Sequence, residues 1–354
     1  MSIQWADNFG SYGTGSPSAT LMANGLPYTQ LDGGGVVADP LVSGGVCWNI
    51  SSGDGLGYQR SIVPTHVNAL GIALRWNSSG GGLRTPFGWT DNSSQGLYSL
   101  NVEINGAISI YQNGYNFVQN LGTRVATTTI PVITYNSWWH IEAMLDYALG
   151  NITVFVEGVQ VLTYSFTAAP STLIYNMVYS VTSYGSAYGG SAYIKDFVMY
   201  DKSGTVNNTV GSIGPCTVYR LALDSDVSNG WSITGGTTVN GTIGGEPPAD
   251  STSYITAGVS PIPAPAVCGI SHLPSNIVGV RGIVSLQRVA KSDGGDAEYQ
   301  VDIVSGSSAH TGTAHTLSTS FNYQYDVVEL DPATGEFFTP IAVNNLNIKI
   351  NRTV

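Results

Sequence analysis

Glu142 and Asp146 stand four residues apart in the stretch SWWHIEAMLDYALGNITVFVEGVQVL, residues 137–162, directly after the tryptophan pair Trp138 and Trp139. Carboxylates beside aromatic rings are the groups with which a protein cleaves or holds a sugar: an acid and a nucleophile in one case, hydroxyl acceptors and a stacking face in the other. Cleavage with retention requires two carboxyls about 5 to 5.5 Å apart, which positions i and i+2 of a strand can supply. Here i+2 is Met144, and positions i and i+4 of a strand lie about 13 Å apart, too far even for an inverting pair. The spacing therefore reads as a solvated strand face, and no catalytic residue is assigned. By the same alternation Trp139 falls on the apolar side as core, and Trp138 on the polar side.

Better binding candidates are expected in loops, where sandwiches carry recognition. Phe87-Gly-Trp-Thr-Asp-Asn92 sets the ring of Trp89 beside Asp91 and Asn92, which can bond sugar hydroxyls, and Tyr111-Gln-Asn-Gly-Tyr115 places Tyr111 and Tyr115 on a hairpin turn. Asp91 with Asn92 also offers oxygen ligands for Ca²⁺, although no dense D-x-D-x-D run is present; no other cofactor is expected. Nucleophilic catalysis finds no pattern: His66, His140, His272, His310 and His315 are scattered, no G-x-S-x-G occurs, and SSAHTGTAHT reads as a polar hairpin. The runs Gly33–Gly35 and Gly80–Gly82 precede no GK[ST] and read as turns. Cys47, Cys216 and Cys268 are far apart, with no CxxC; reduced thiols are expected, with Cys216–Cys268 the one pairing to test.

The elements that must position these residues are strands. Trp139, Ile141, Ala143 and Leu145 alternate with polar neighbours, Tyr147-Ala-Leu-Gly-Asn151 breaks the pattern, and Ile152, Val154 and Val156 resume it, which predicts a hairpin. No segment holds a helical period beyond about two turns. With 42% apolar residues, 20 tyrosines, and many Thr, Val and Ile punctuated by Gly and Asn, the 354-residue chain reads as ordered and all-β. Two β-sandwich domains are expected, 1–204 and 205–354, joined by the linker-like DKSGTVNNTVGSIGP, residues 201–215. A net charge of −11 argues against nucleic acid, which needs clustered Lys and Arg. No apolar run reaches the roughly 20 residues of a membrane span, and MSIQWADNFG has neither a basic nor an apolar signal region, so membrane insertion and a cleaved signal are not expected.

Two resemblances add to this reading. Trp138-Trp-His-Ile-Glu142, Ile152 to Gly158 and Ile194-Lys-Asp-Phe-Val-Met-Tyr-Asp201 together resemble the concanavalin A-like, laminin-G-like jelly roll, which implies that fold for the first domain. Glucanases of that fold carry E-x-D-x-x-E or E-x-D-x-E on one strand, a pattern that Met144 interrupts here. The second half, with Thr217-Val-Tyr-Arg-Leu-Ala222, Gly230-Trp231, Glu246-Pro-Pro-Ala-Asp250, Ala290-Lys-Ser-Asp293 and Asp331-Pro-Ala-Thr-Gly335, resembles virion structural proteins of tailed bacteriophages. The resemblance implies a non-enzymatic tail fibre or other surface appendage, localised to the virion. Its partners would be other virion proteins, further copies of itself in a symmetric homo-oligomer, and a host cell-surface glycan. The alternatives are a capsid decoration protein and a secreted lectin-like enzyme that degrades glycans.

Overall fold

The computed structural model describes residues 2–12, 30–31, 35–43, 45–50, 56–76, 84–93, 96–113, 122–169, 171–181, 192–201, 204, 206, 211–245, 252–258 and 260–354. The chain divides into two compact units, the first running to Val218 and the second over Tyr219–Val354. Both are built from antiparallel strands, as the alternation predicts.

In the first unit one sheet is ordered β13 (Val159–Ser165), β12 (Asn151–Val156), β11 (Trp139–Asp146), β6 (Val67–Trp76), β15 (Ala192–Asp201), β4 (Val46–Ile50), β3 (Gly35–Ala38), with β1 (Ser2–Asp7) also on β15. The other is ordered β10 (Thr123–Thr127), β9 (Ile108–Gln112), β8 (Gly96–Val102), β7 (Arg84–Thr90), β14 (Ile174–Val181), β5 (Leu56–Thr65), β2 (Gln30–Leu31). The sheets face each other: Tyr98 of β8 packs its ring on Tyr164 of β13 and on Tyr147 and Phe166 beside it, at centroid distances of 6.1, 6.2 and 4.9 Å. This is the sandwich arrangement, with the apolar side of each strand turned inward. The predicted hairpin is present, closing with Asp146 opposite Asn151. Strand β15 has a bulge at Asp196 and Phe197, between the positions paired to Ala73 and Gly71, where its outer neighbour changes from β4 to β1. Asp196 takes a φ of 53° there, in the left-handed region that G1-type bulges use.

The second unit has a six-stranded sheet ordered β16 (Leu223–Ser228), β19 (Ala266–Ile270), β25 (Leu346–Arg352), β21 (Glu298–Ser305), β22 (Ser308–His310), with β23 (His315–Thr316) on β21. Its second layer is split into two ribbons, each with a short helix. Ribbon β17 (Ser232–Thr234) with β18 (Tyr254–Thr256) and helix α1 (Val239–Ile243) covers Ala266 and Cys268. Ribbon β20 (Ile283–Val289) with β24 (Asn322–Val328) and helix α2 (Pro340–Asn344) covers Ile270, Ile303 and Leu346. Helices are this short because Thr238 and Thr339 cap them at the start and Gly244 and Asn345 follow at once.

The unit boundary differs from the expected division at Gly204. Residues 211–215, read as linker, and the following 216–218 pack on the first unit through bonds set out below. Its glycines and Pro215 made the segment look like a connection, and nothing in its own composition announces the buried acceptors that hold it.

Candidate functional site

Strand β11 corrects the expectation of a wet face. Glu142 is 0% exposed and Asp146 2%. The outer side of this strand carries His140, Glu142, Met144 and Asp146, and residues 211–218 lie across it. The Glu142 carboxylate accepts a bond from the Ser212 hydroxyl at 2.7 Å and one from the Ile213 amide at 2.9 Å. His140 Nε2 lies 3.8 Å from Cys216 Sγ. At the bulge, Asp196 accepts the Val218 amide at 2.9 Å, and Asn8 donates to the Val218 carbonyl at 3.1 Å. Gly71 on β6 gives His140 and Glu142 room: a Cβ there would sit 3.3 Å from His140 Nε2. Burial pushes His140 down to about 4 and Asp196 up to about 6. The acid-base residues of this face thus hold a strap of chain, a structural use that the exposed reading missed. Asp146 accepts the Leu149 amide at 2.9 Å and so caps the hairpin turn.

The tryptophans also differ from expectation. Trp138 and Trp139 are both half-buried. Trp139 donates to the Thr134 carbonyl and Trp138 to Asp39, so Trp139 is not a fully enclosed core ring; it opens its strand, where the covering layers end.

The loop candidates are separated by the fold. Trp89 lies inside strand β7, 0% exposed and opposite Tyr98, so it is core and not a loop aromatic. Phe87-Gly-Trp-Thr continues as strand because Trp89 completes an inward row with Tyr98, and that burial outweighs the turn-like composition around it. Asp91 turns its Oδ1 back on the Ser93 amide and hydroxyl at 2.9 and 2.8 Å, and Asn92 is exposed beside it. Among the described residues no three His, Cys, Asp or Glu gather as metal ligands. Tyr115 lies outside the described residues.

Tyr111 is placed differently, and informatively. It sits on strand β9, opposite Ser99 on one side and Arg124 on the other, hence on the face of its sheet turned away from Tyr98. Its hydroxyl donates to Glu103 Oε1 at 3.3 Å, and Arg124 lies 3.8 Å from the same oxygen. Burial and the Glu103 charge raise the Tyr111 phenol above its ordinary value, so it stays a donor at neutral pH. Along the same face run Ser99, Asn101 and Ser109, all 0% exposed, with Asn101 donating to Ser99 at 3.1 Å and Ser109 to Thr127 at 2.9 Å. Tyr111, Glu103 and Arg124 form a partly open cluster of ring, carboxylate and guanidinium on this face, while Ser99, Asn101 and Ser109 beside it are covered. Glu103 and Arg124 were missed from the sequence. The signal was there: Ser99, Asn101 and Glu103 alternate with Tyr98, Leu100 and Val102.

In the second unit the polar residues are paired structurally. Asp302 accepts from Gln300, Lys349 and Asn351 at 2.6, 3.1 and 2.9 Å; burial works to raise its pKa, and these bonds outweigh it and hold the carboxyl below its usual range. His315 lies 3.3 Å from Asp326. Cys47, Cys216 and Cys268 are not joined in disulfides, and Cys268 donates to Asp226. No helix is long and apolar enough to cross a membrane among the described residues.

No family model and no curated protein matches the chain. Solved structures similar to part of it include a sialidase (15% identity, 57% of this chain and 19% of that one, TM-score 0.39) and the cellulose-induced protein Cip1 (12%, 59% and 100%, 0.39). The carbohydrate-binding module CBM66 from Bacillus subtilis is another (11%, 50% and 96%, 0.34). No residue of this chain takes a role from these likenesses.

Proposed function

We propose that this chain is a non-enzymatic virion structural protein whose first unit contacts a host-surface glycan through the outer face of the seven-stranded sheet. The observation that carries the glycan part is the cluster of Tyr111, Glu103 and Arg124 on that face. A ring offers a stacking plane for a sugar, while the carboxylate and guanidinium fix its hydroxyls in orientation. Binding is favoured over cleavage because Glu142, His140 and Asp196, the groups closest to acid-base chemistry in type, are engaged with residues 212–218. The virion part rests on the second half's resemblance to phage structural proteins, and symmetric self-association accords with such appendages.

The test is a glycan array probed with the intact protein, its Tyr111→Ala and its Arg124→Ala variants, with melting followed in parallel. Both variants lose binding at least tenfold with little change in melting, and no reducing ends appear from the bound glycan. Binding undiminished in both variants refutes the site. Release of reducing ends refutes the non-enzymatic reading. Mass spectrometry of purified particles from the virus encoding this chain tests the virion assignment; its absence from the particles refutes it.

A further inference from the structure

One cluster of the first unit plays no part in the polar sheet face or in the strap, and its geometry is that of a reaction between two side chains. Lys195 on β15 places Nζ 2.7 Å from Oδ2 of Asp39, the residue that follows β3. The Asp39 side chain is 1% exposed and that of Lys195 17%. The other carboxylate oxygen, Oδ1, receives three donors: the Leu41 amide at 2.8 Å, the Val42 amide at 3.2 Å and Trp138 Nε1 at 3.2 Å. The Trp138 ring also lies over the lysine nitrogen, 4.4 Å from ring centroid to Nζ.

A surface ion pair needs none of this. Donors converging on one oxygen of a carboxyl, with an amine held against the other, form the arrangement that stabilises a tetrahedral adduct at the carbon between them. We propose that Lys195 and Asp39 condense to an intramolecular amide, cross-linking β15 to the end of β3. The atoms balance within the pair. The ammonium of Lys195 gives up a proton, the neutral amine attacks Cγ of Asp39, and the adduct's negative oxygen is Oδ1, held by Leu41, Val42 and Trp138. Oδ2 is protonated and leaves with a second proton from the nitrogen as water. One N–C bond forms, one C–O bond breaks, and nothing is oxidised or reduced. The first proton passes from Nζ to Oδ2 directly, across their 2.7 Å contact.

The resting pair is ionic. Burial works to raise the Asp39 pKa, and the bonds from Lys195, Leu41 and Trp138 outweigh it and hold the carboxyl below its ordinary range. The reactive neutral form is therefore a small fraction. Intramolecular reaction compensates: groups locked in contact react as if one were present at about 10⁵ M or more, and the amide accumulates because water has little access to it. Oδ1 keeps its three donors in the product, and the lysine nitrogen moves from its contact with Oδ2 into the place that oxygen vacates. The amide would tie together positions 156 residues apart, a loop long enough for a cross-link to restrict the unfolded chain strongly.

The test is the intact mass of the folded, full-length protein, measured over days of incubation at neutral pH, with Lys195→Arg as the control that keeps the charge but cannot condense in this way. The wild type becomes lighter by one water, and its digest contains a branched peptide joining Lys195 to Asp39; Lys195→Arg keeps its full mass. A wild-type mass that stays at the sequence value overturns the proposal, as does a loss of water that persists in Lys195→Arg.

Discussion

Replacing Glu142 should show directly what its carboxylate does. In the structure both oxygens are used, Oε2 by the Ser212 hydroxyl and Oε1 by the Ile213 amide, and the side chain is 0% exposed. Glu142→Ala leaves the buried Ile213 amide and the half-buried Ser212 hydroxyl without these acceptors, together costing about 1–3 kcal/mol, and opens a cavity as well. A loss of about 4 kcal/mol is expected. Glu142→Gln retains an oxygen for Ile213, and its amide can donate to Ser212, whose hydroxyl rotates to accept; about 1 kcal/mol is expected. Urea unfolding followed by tryptophan fluorescence measures both, and hydrogen exchange reports on the Ile213 amide, which should lose protection in Glu142→Ala before the rest of the unit does. A solvated face would give a change within about 0.5 kcal/mol. Glu142→Ala within that limit, or Glu142→Gln as costly as Glu142→Ala, would refute the argument that this carboxylate clips the strap.

The same strap predicts that a fragment ending at Val218 folds as a stable unit, whereas one ending at Gly204, which lacks Ser212, Ile213 and Val218, has a clearly lower denaturation midpoint; equal midpoints would show the strap to be dispensable. The pH dependence should separate two buried groups. Asp196 has its folded pKa raised to about 6, so the stability it contributes is complete below its ordinary value of 3.8 and is lost as pH rises through 6. His140 has its folded pKa depressed to about 4, so its contribution is complete above 6.5 and is lost as pH falls through 4. Each effect is about 3 kcal/mol and they oppose, so Asp196→Asn should uncover a loss of stability from pH 6.5 to 4 that the wild type largely conceals. A variant as flat as the wild type would contradict both assignments. Trp89→Ala should destabilise the first unit by about 3–5 kcal/mol as a core truncation, and half-buried Trp138→Ala by clearly less; the reverse order in thermal melts would refute the burial argument.

What the sequence by itself determined is the class of structure and the local pairing. Alternation at Trp139 to Leu145 and Ile152 to Val156 specified a hairpin, because side chains of a strand alternate faces whatever lies above them. Alternation does not say whether a polar face is wet. Glu142 and Asp146 carry the polar signature of an exposed face, and only residues 211–218, about 70 positions away, decide that they are buried. Trp89 was misplaced by the opposite route: glycine, threonine and asparagine nearby suggest a loop, while burial opposite Tyr98 keeps the segment extended. Tyr111 was found, yet its companions Glu103 and Arg124 come from β8's end and from β10, and only strand order brings them to one oxygen. Contacts between residues distant in sequence depend on sheet order and on which segment covers which face. Those are decided by the sum of packing over the whole unit, and local pattern carries no record of it.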